Sequence, residues 1–412
     1  MLIRLKEQKT AVALMLTVLL MNHVLTLSAF PAFQILSYLL LFLCLLGFAF
    51  MACVCLCRPR MTRLDVWMTL FFGLFMLITV MCKGYVKSTV YQSCQVFLLL
   101  MLFNYYRDHI VFMIKVCAVI FSVMIYFNHV LMIIFPDWMY AAKDMFYGYL
   151  LGGNYNQMGC RMLCGIITNI LCVRFSKKWL VNVVALSLTC LYTLLIVTSM
   201  TSLMCITLFL LFCLVPSRAL RKAGMITCFV VYVFLQITLV FGGQGLYNNE
   251  YVSYFVEVVL GKNLSFTHRT EMWAAAGRLY AESPYLGYGF ADNEWYLTHM
   301  STLARGPHNF VYSLLIYGGI ALLTVFIMTC ASVLRKVSAL RWDYYCTMLI
   351  MGVEIWLFMG LMEVYPLFFI MYLLVLLYYY PDLCENEERR AADAAKMRDM
   401  NKEERRLADG GQ

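Results

Sequence analysis

Long apolar runs separated by short polar gaps dominate this chain. Runs near the length that crosses a bilayer, about 20 residues, fall at about 11–28, 33–57, 64–82, 88–104, 110–135, 158–175, 179–197, 202–216, 223–243, 308–334, 344–362 and 364–380. The pattern predicts an all-α fold: a polytopic membrane helix bundle of about 12 transmembrane helices, of which the fourth and eighth are short. Two gaps on one side are long. One runs from Pro136 to about Gln157, and the other covers about 244–307. In a chain that economises on loops, these are where function is to be sought.

Composition sharpens the picture. The 412 residues are 63% hydrophobic and 13% charged, with a mean hydropathy of +0.77. Ordinary soluble domains are roughly 45–50% apolar and about 25% charged. A soluble enzyme, a disordered chain and a secreted disulfide scaffold are all excluded. Nothing in the pattern calls for a nucleic-acid partner; the bilayer is the first partner implied.

The net charge of +9 matters less than its placement. Arg4, Lys6, Lys9, Arg58, Arg60, Arg63, Arg107, Arg174, Lys177, Lys178, Arg218, Arg221, Lys222, Arg335, Lys336 and Arg341 lie in alternate gaps, against Lys83, Lys87, Lys143 and Arg161 in the short gaps between them. By the positive-inside rule the first set faces the cytoplasm. An even number of spans then puts both termini inside. The first span lacks a small-residue cleavage pattern and reads as retained. The 17 cysteines lie almost wholly within the spans and none falls in 244–307, so a disulfide framework is not expected. Cys53, Cys55 and Cys57 do not have the spacing of a metal site.

The organisation is a membrane domain over 1–380, including the outer loop at about 244–307, and a charged cytoplasmic tail over 381–412. The tail mixes signs, with Glu385 four residues before Arg389, and predicts a solvated helix. Within the large loop, Glu250–Leu260 is apolar enough to lie in the membrane interface. Arg269–Glu282 predicts a helix, ended by Ser283-Pro284. A turn with Gly287 and Gly289 follows, and the chain returns to the membrane at Arg305-Gly-Pro-His308-Asn309.

This loop carries the candidate chemistry. Arg269, Arg278 and Arg305 can capture an anion, since a guanidinium binds two phosphate oxygens at once. Arg278 also has a plain structural role open to it, beside Glu271 and Glu282. Arg269 and Arg278 are nine apart and point in opposite directions on one straight helix. His308 at the membrane edge can accept a proton near neutral pH or position a hydroxyl. Carboxylates inside membrane spans cost enough to be functional candidates by default. Glu363 is placed to orient His308 or an arginine, whereas Glu354 has a polar neighbour or a proton as its simpler explanation. Arg107 and Lys115, near the cytoplasmic edge, are expected to snorkel.

Arg269-x-x-x-Trp273, Ser283-Pro284-Tyr-Leu-Gly287-Tyr-Gly289-Phe290, Pro307-His308-Asn309-Phe310 and Gly318-Gly319-Ile320 together resemble the signature of the O-antigen ligase/O-antigen polymerase superfamily. Gly153-Asn154-Tyr155-Asn156-Gln157 resembles that family's Gly/Asn-rich turn before a span. These motifs cover roughly 153–320; the remainder matches only as hydrophobic spans.

The resemblance implies a membrane glycosyltransferase, in the bacterial cytoplasmic membrane. It would take a glycan from an undecaprenyl-diphosphate carrier at the outer face and join it to another carrier-linked glycan, or to a lipid or protein acceptor. Neither a metal nor a nucleotide sugar is implied; a chain-length regulator or a flippase is the kind of partner protein that would accompany it. By the same resemblance Arg269 and Arg305 hold the donor diphosphate, His308 stands at the reacting centre, and Trp273 and Asn309 support it. The family also carries an arginine shortly after a serine at the outer end of a mid-chain span. Here that stretch is Thr198-Ser199-Met200-Thr201-Ser202, and Arg161 is the candidate substitute. Polymerase is favoured over ligase. A lipid-linked glycan transporter remains the reading from another class, although no repeat between the halves supports it.

Overall fold

A computed structural model describes residues 5–23, 33–57, 61–135, 155–242, 269–300, 306–338 and 342–409. The readings that rest on Arg305, Gly153, Asn154, the Pro136 loop and Glu250–Leu260 lie outside these residues. The described helices are α1 (Leu5–Leu20), α2 (Gln34–Cys57), α3 (Arg63–Met81), α4 (Val86–Tyr105), α5 (Ile110–Ile134), α6 (Met158–Phe175), α7 (Trp179–Ile196), α8 (Met200–Cys213), α9 (Arg218–Leu235), α10 (Arg269–Glu282), α11 (Asn293–His299), α12 (Phe310–Ser338), α13 (Tyr344–Met362) and α14 (Leu367–Asp409). No strand occurs among them. The protein is a polytopic helical membrane bundle, with 10 helices long and apolar enough to cross among the described residues. Two of the expected twelve fall short of that test. Helix α8 is apolar but has 14 residues, about 21 Å against a hydrocarbon core of about 30 Å. Helix α1 is described over 16 residues.

The basic gaps gather at one end of the bundle, where ion pairs bind the helices together. Asp382 of α14, 4% exposed, lies 2.5 Å from both Arg107 and Lys336. Arg174 joins Asp343 at 2.6 Å and Glu387 at 2.5 Å, and also meets the Tyr380 hydroxyl. Arg107 therefore does more than snorkel: it bridges the start of α5 to α14. Lys115 lies over the Phe175 ring. The Tyr106 hydroxyl donates to the Glu7 carbonyl, so the start of α1 and the middle of α14 share this region. Pro381 does not interrupt α14, because a helix loses one hydrogen bond at proline but neighbouring packing can hold it. Burial continues through Leu383.

At the opposite end, α12 departs from the single span expected from residue 308 onward. It folds back at Gly318 (φ −156°) and Gly319 (φ +59°). The rings of Phe310 and Phe326 have centroids 5.2 Å apart, whereas sixteen residues of straight helix would separate them by about 24 Å. The result is a short leg, Phe310 to Tyr317, and a long leg from Ile320. A broken helix among apolar neighbours must satisfy its freed backbone groups within the protein. The turn after α10 does this. Tyr288 and Gly289 N–H groups donate to the Ile316 and Tyr317 carbonyls at 2.7 and 3.1 Å, and Ile320 and Ala321 N–H groups donate to the Pro284 and Tyr285 carbonyls at 2.8 and 3.3 Å. Phe290, Tyr317 and Phe75 of α3 cluster around the tip. The glycine turn and the glycine pair, thirty residues apart, are two halves of one joint.

Candidate functional site

The short leg of α12 begins with a built N-terminus. Asn309, fully buried, accepts the Tyr312 N–H at 2.9 Å through its side-chain oxygen, which caps the helix. Its amide nitrogen donates to the Leu361 carbonyl at 3.2 Å and to Gln236 Oε1 at 3.0 Å. Gln236 opens a π-type turn, Gln236–Phe241, that extends α9; such widened turns recur at functional sites. Asn309 thus ties α9, α12 and α13 together one residue after His308.

His308 itself has φ +45°. For a residue with a side chain this left-handed backbone costs of order 1–3 kcal/mol, and it persists only where surroundings over-determine it. Two contacts do so here. The indole N–H of Trp273, a fully buried residue of α10, is directed at the His308 carbonyl at 3.5 Å. The imidazole Nδ1 lies 3.0 Å from Glu363 Oε1, a close ion-pair contact rather than an aligned hydrogen bond. Phe310 then anchors the leg between Phe326 and Trp356, with Gly360 leaving room for its Cβ.

Glu363, 5% exposed, stands at the end of α13 and is the centre of the cluster. Oε1 accepts the Val364 N–H at 3.1 Å as well as facing His308. Oε2 accepts Asn156 Nδ2–H at 3.2 Å and lies 3.8 Å from the Arg269 guanidinium. Burial by itself would favour the neutral acid. The His308 contact, the Arg269 charge and the Val364 N–H outweigh it and hold the carboxyl below the ordinary glutamate value of 4.5. A buried carboxylate kept ionised beside an imidazole can orient the ring. With Nδ1 turned to Glu363, Nε2 is the nitrogen left for a substrate proton.

Arg269, at the start of α10, donates Nε–H to the Met362 carbonyl at 2.8 Å. The structure thus brings His308, Glu363, Arg269, Trp273 and Asn309 into one place. Arg278 is not among them: it is exposed on the other flank of α10, as the half-turn offset requires. Arg161, 3% exposed, sits one turn into α6. It donates to the Gln157 and Asn22 carbonyls at 3.0 Å each and lies over the Phe369 ring, while its Nε–H has no acceptor among the described residues. It braces the turn that carries Asn156. Glu354, inside α13, lies against Cys228 of α9. No cluster of His, Cys, Asp and Glu able to hold a metal ion occurs among the described residues.

Asn156 and Gln157 are legible in sequence only as part of a Gly/Asn-rich turn, without a role in the site, and Gln236 is not marked at all. The Gly/Asn-rich turn was visible, but its partner is 207 residues away, and no local pattern announces that pairing.

Against known protein families, residues 182–327 match the one described as O-Antigen ligase. The matched stretch runs from α7 into the long leg of α12 and contains Arg269, Trp273 and His308. It supports the O-antigen ligase/O-antigen polymerase superfamily, to which the sequence motifs bear their resemblance. Asn156, Arg161 and Glu363 lie outside the match. No curated protein and no solved structure matches the chain.

Proposed function

We propose, on the premise that this is a glycosyltransferase-like membrane protein of the O-antigen ligase/O-antigen polymerase superfamily, that it polymerises surface-polysaccharide repeat units. Its donor would be a glycan on undecaprenyl diphosphate, and its acceptor a second carrier-linked glycan. The reaction would take place at the outer face of the cytoplasmic membrane, the end of the bundle opposite the basic gaps, with both termini inside. The observation that carries this reading is the His308–Glu363–Arg269 cluster at that end, with an imidazole 3.0 Å from a buried carboxylate and a guanidinium beside it.

In the proposed reaction the acceptor hydroxyl gives its proton to His308 Nε2 as its oxygen bonds to the anomeric carbon of the donor. The bond from that carbon to the diphosphate oxygen breaks, and the lipid diphosphate leaves with the electron pair. Glu363 stabilises the imidazolium that forms. Negative charge developing on the leaving group is met by Arg269, and by Arg305 three residues before His308. Arg161, inside the wall, contributes its field rather than a direct contact, and Arg278 serves the helix surface.

The test is direct. Purified protein in a membrane mimetic receives undecaprenyl-diphosphate-linked oligosaccharide without metal or nucleotide sugar. Longer glycan is expected, and His308→Ala is expected to abolish it while the protein still folds. Undiminished elongation by His308→Ala would overturn the site. Transfer only to an added lipid or protein acceptor would replace polymerase by ligase, and translocation without a new glycosidic bond would replace both by a transporter.

A further inference from the structure

Glu363 has two oxygens, and each is held from a different wall. Oε1 faces His308 from the α12 side. Oε2 is held from the other side by Asn156, in the turn before α6. Arg269 also approaches Oε2, but at 3.8 Å against 3.2 Å for the amide. We infer that Asn156 is a positioning residue: by holding Oε2 it keeps Glu363 turned to His308 and out of a close pair with Arg269.

The amide is itself oriented. Ser199 donates its hydroxyl to Asn156 Oδ1 at 3.5 Å, so the opposite edge, Nδ2, faces the carboxylate. Ser202 donates to the Asn156 backbone carbonyl at 3.4 Å. Next along the turn, Gln157 Nε2 donates to the Val364 carbonyl at 3.4 Å. Two adjacent side-chain amides therefore clasp residues 363 and 364. The serines reach the turn because Thr198 reverses the chain with φ +54°. Gly159 gives them space: a Cβ there would lie 2.3 Å from Ser202 Oγ. The stretch Thr198–Ser202, which has no arginine, fastens this turn instead.

The geometry explains why such a brace is needed. A carboxylate between an imidazole and a guanidinium is drawn to both. If it swings to Arg269, it forms the bidentate pair that guanidinium favours. The imidazole then loses its orienting partner, and the arginine loses charge available to a diphosphate. A neutral donor at Oε2 prevents the swing without adding charge. Asparagine meets that need; aspartate would set a second carboxylate against the first.

This inference rests on the proposed transfer reaction, and a double-mutant cycle on the purified full chain tests it. Turnover of undecaprenyl-diphosphate-linked oligosaccharide is measured for wild type, Asn156→Ala, Glu363→Gln and the double variant, each checked for folding by gel filtration and melting temperature. The expected result is a roughly tenfold lower kcat for Asn156→Ala, with the double variant no slower than Glu363→Gln alone, because one residue acts through the other. Asn156→Asp is expected to be slower than Asn156→Ala. If Asn156→Ala loses its fold, Asn156→Ser enters the cycle with the same expectation. Losses that multiply, or an unchanged kcat, would overturn the inference while leaving the proposed function intact. A wild type inert toward every diphosphate-linked glycan would instead remove the proposed function, and the inference with it.

Discussion

The Cβ that Gly319 lacks would lie 2.3 Å from the carbonyl carbon of Tyr285. That near-contact is the seam between the fold-back of α12 and the turn after α10. Gly287 closes the same seam from the other side, with φ +62° and the Ile316 carbonyl 2.4 Å from its Cβ position. Gly319→Ala or Gly287→Ala must therefore strain a left-handed backbone and also push neighbouring main-chain segments away from each other. Each is expected to lower stability by at least about 2 kcal/mol, seen as an earlier thermal unfolding transition. Gly73→Ala, inside α3 with nothing within 4 Å of the added carbon, is expected not to lower stability and to raise it by up to about 1 kcal/mol, since alanine forms helix better than glycine.

The contribution of Glu363 depends on pH with a definite sign. Its carboxyl is held below 4.5 in the folded protein by His308, Arg269 and the Val364 N–H acting against burial. The unfolded chain therefore binds this proton more readily, and stability rises with pH across the interval between the two values. The stabilisation is complete above about pH 5 and is lost as pH falls through the lower folded value. Glu363→Gln is expected to flatten that acid limb in a melting-temperature series, and an unchanged limb would contradict the arrangement.

Arg269 uses its Nε–H on the Met362 carbonyl, a bond that a lysine ammonium cannot reproduce with the same planar fork. Arg269→Lys keeps the charge and loses the geometry. It is expected to lower kcat/KM for the lipid-linked donor about tenfold, equivalent to about 1.4 kcal/mol. Equal kcat/KM for the two proteins would mean that charge alone serves there.

At the basic end, Asp382 is a buried anion between two cations. Asp382→Asn would leave Arg107 and Lys336 facing one another. Both keep some of their surface in water, so the loss is expected near about 2–3 kcal/mol rather than the larger cost of a fully buried pair. Elongation per folded molecule is expected to be unchanged, because this cluster lies at the opposite end from His308.

Much of the bundle is legible in the sequence. The run lengths locate the helices, and the end of α10 at Glu282 is set by Ser283-Pro284. Short-range rules suffice there, since apolar length and turn chemistry act through neighbours in the chain. The fold-back of α12 is not legible. Residues 308–334 are apolar throughout, so hydropathy registers one crossing, and Gly318-Gly319 by itself is tolerated in many helices.

What the sequence determined alone was a multi-spanning helical bundle with its basic gaps in alternation, because transfer of side chains into lipid is a property each residue carries by itself. What the tertiary structure decided was the company Glu363 keeps. Asn156, Arg269 and His308 come to it from three separate segments, and His308 arrives only because a turn near residue 287 unfastens a helix near residue 318. Contacts between distant segments depend on how whole elements stack, and that information is not written at any one position.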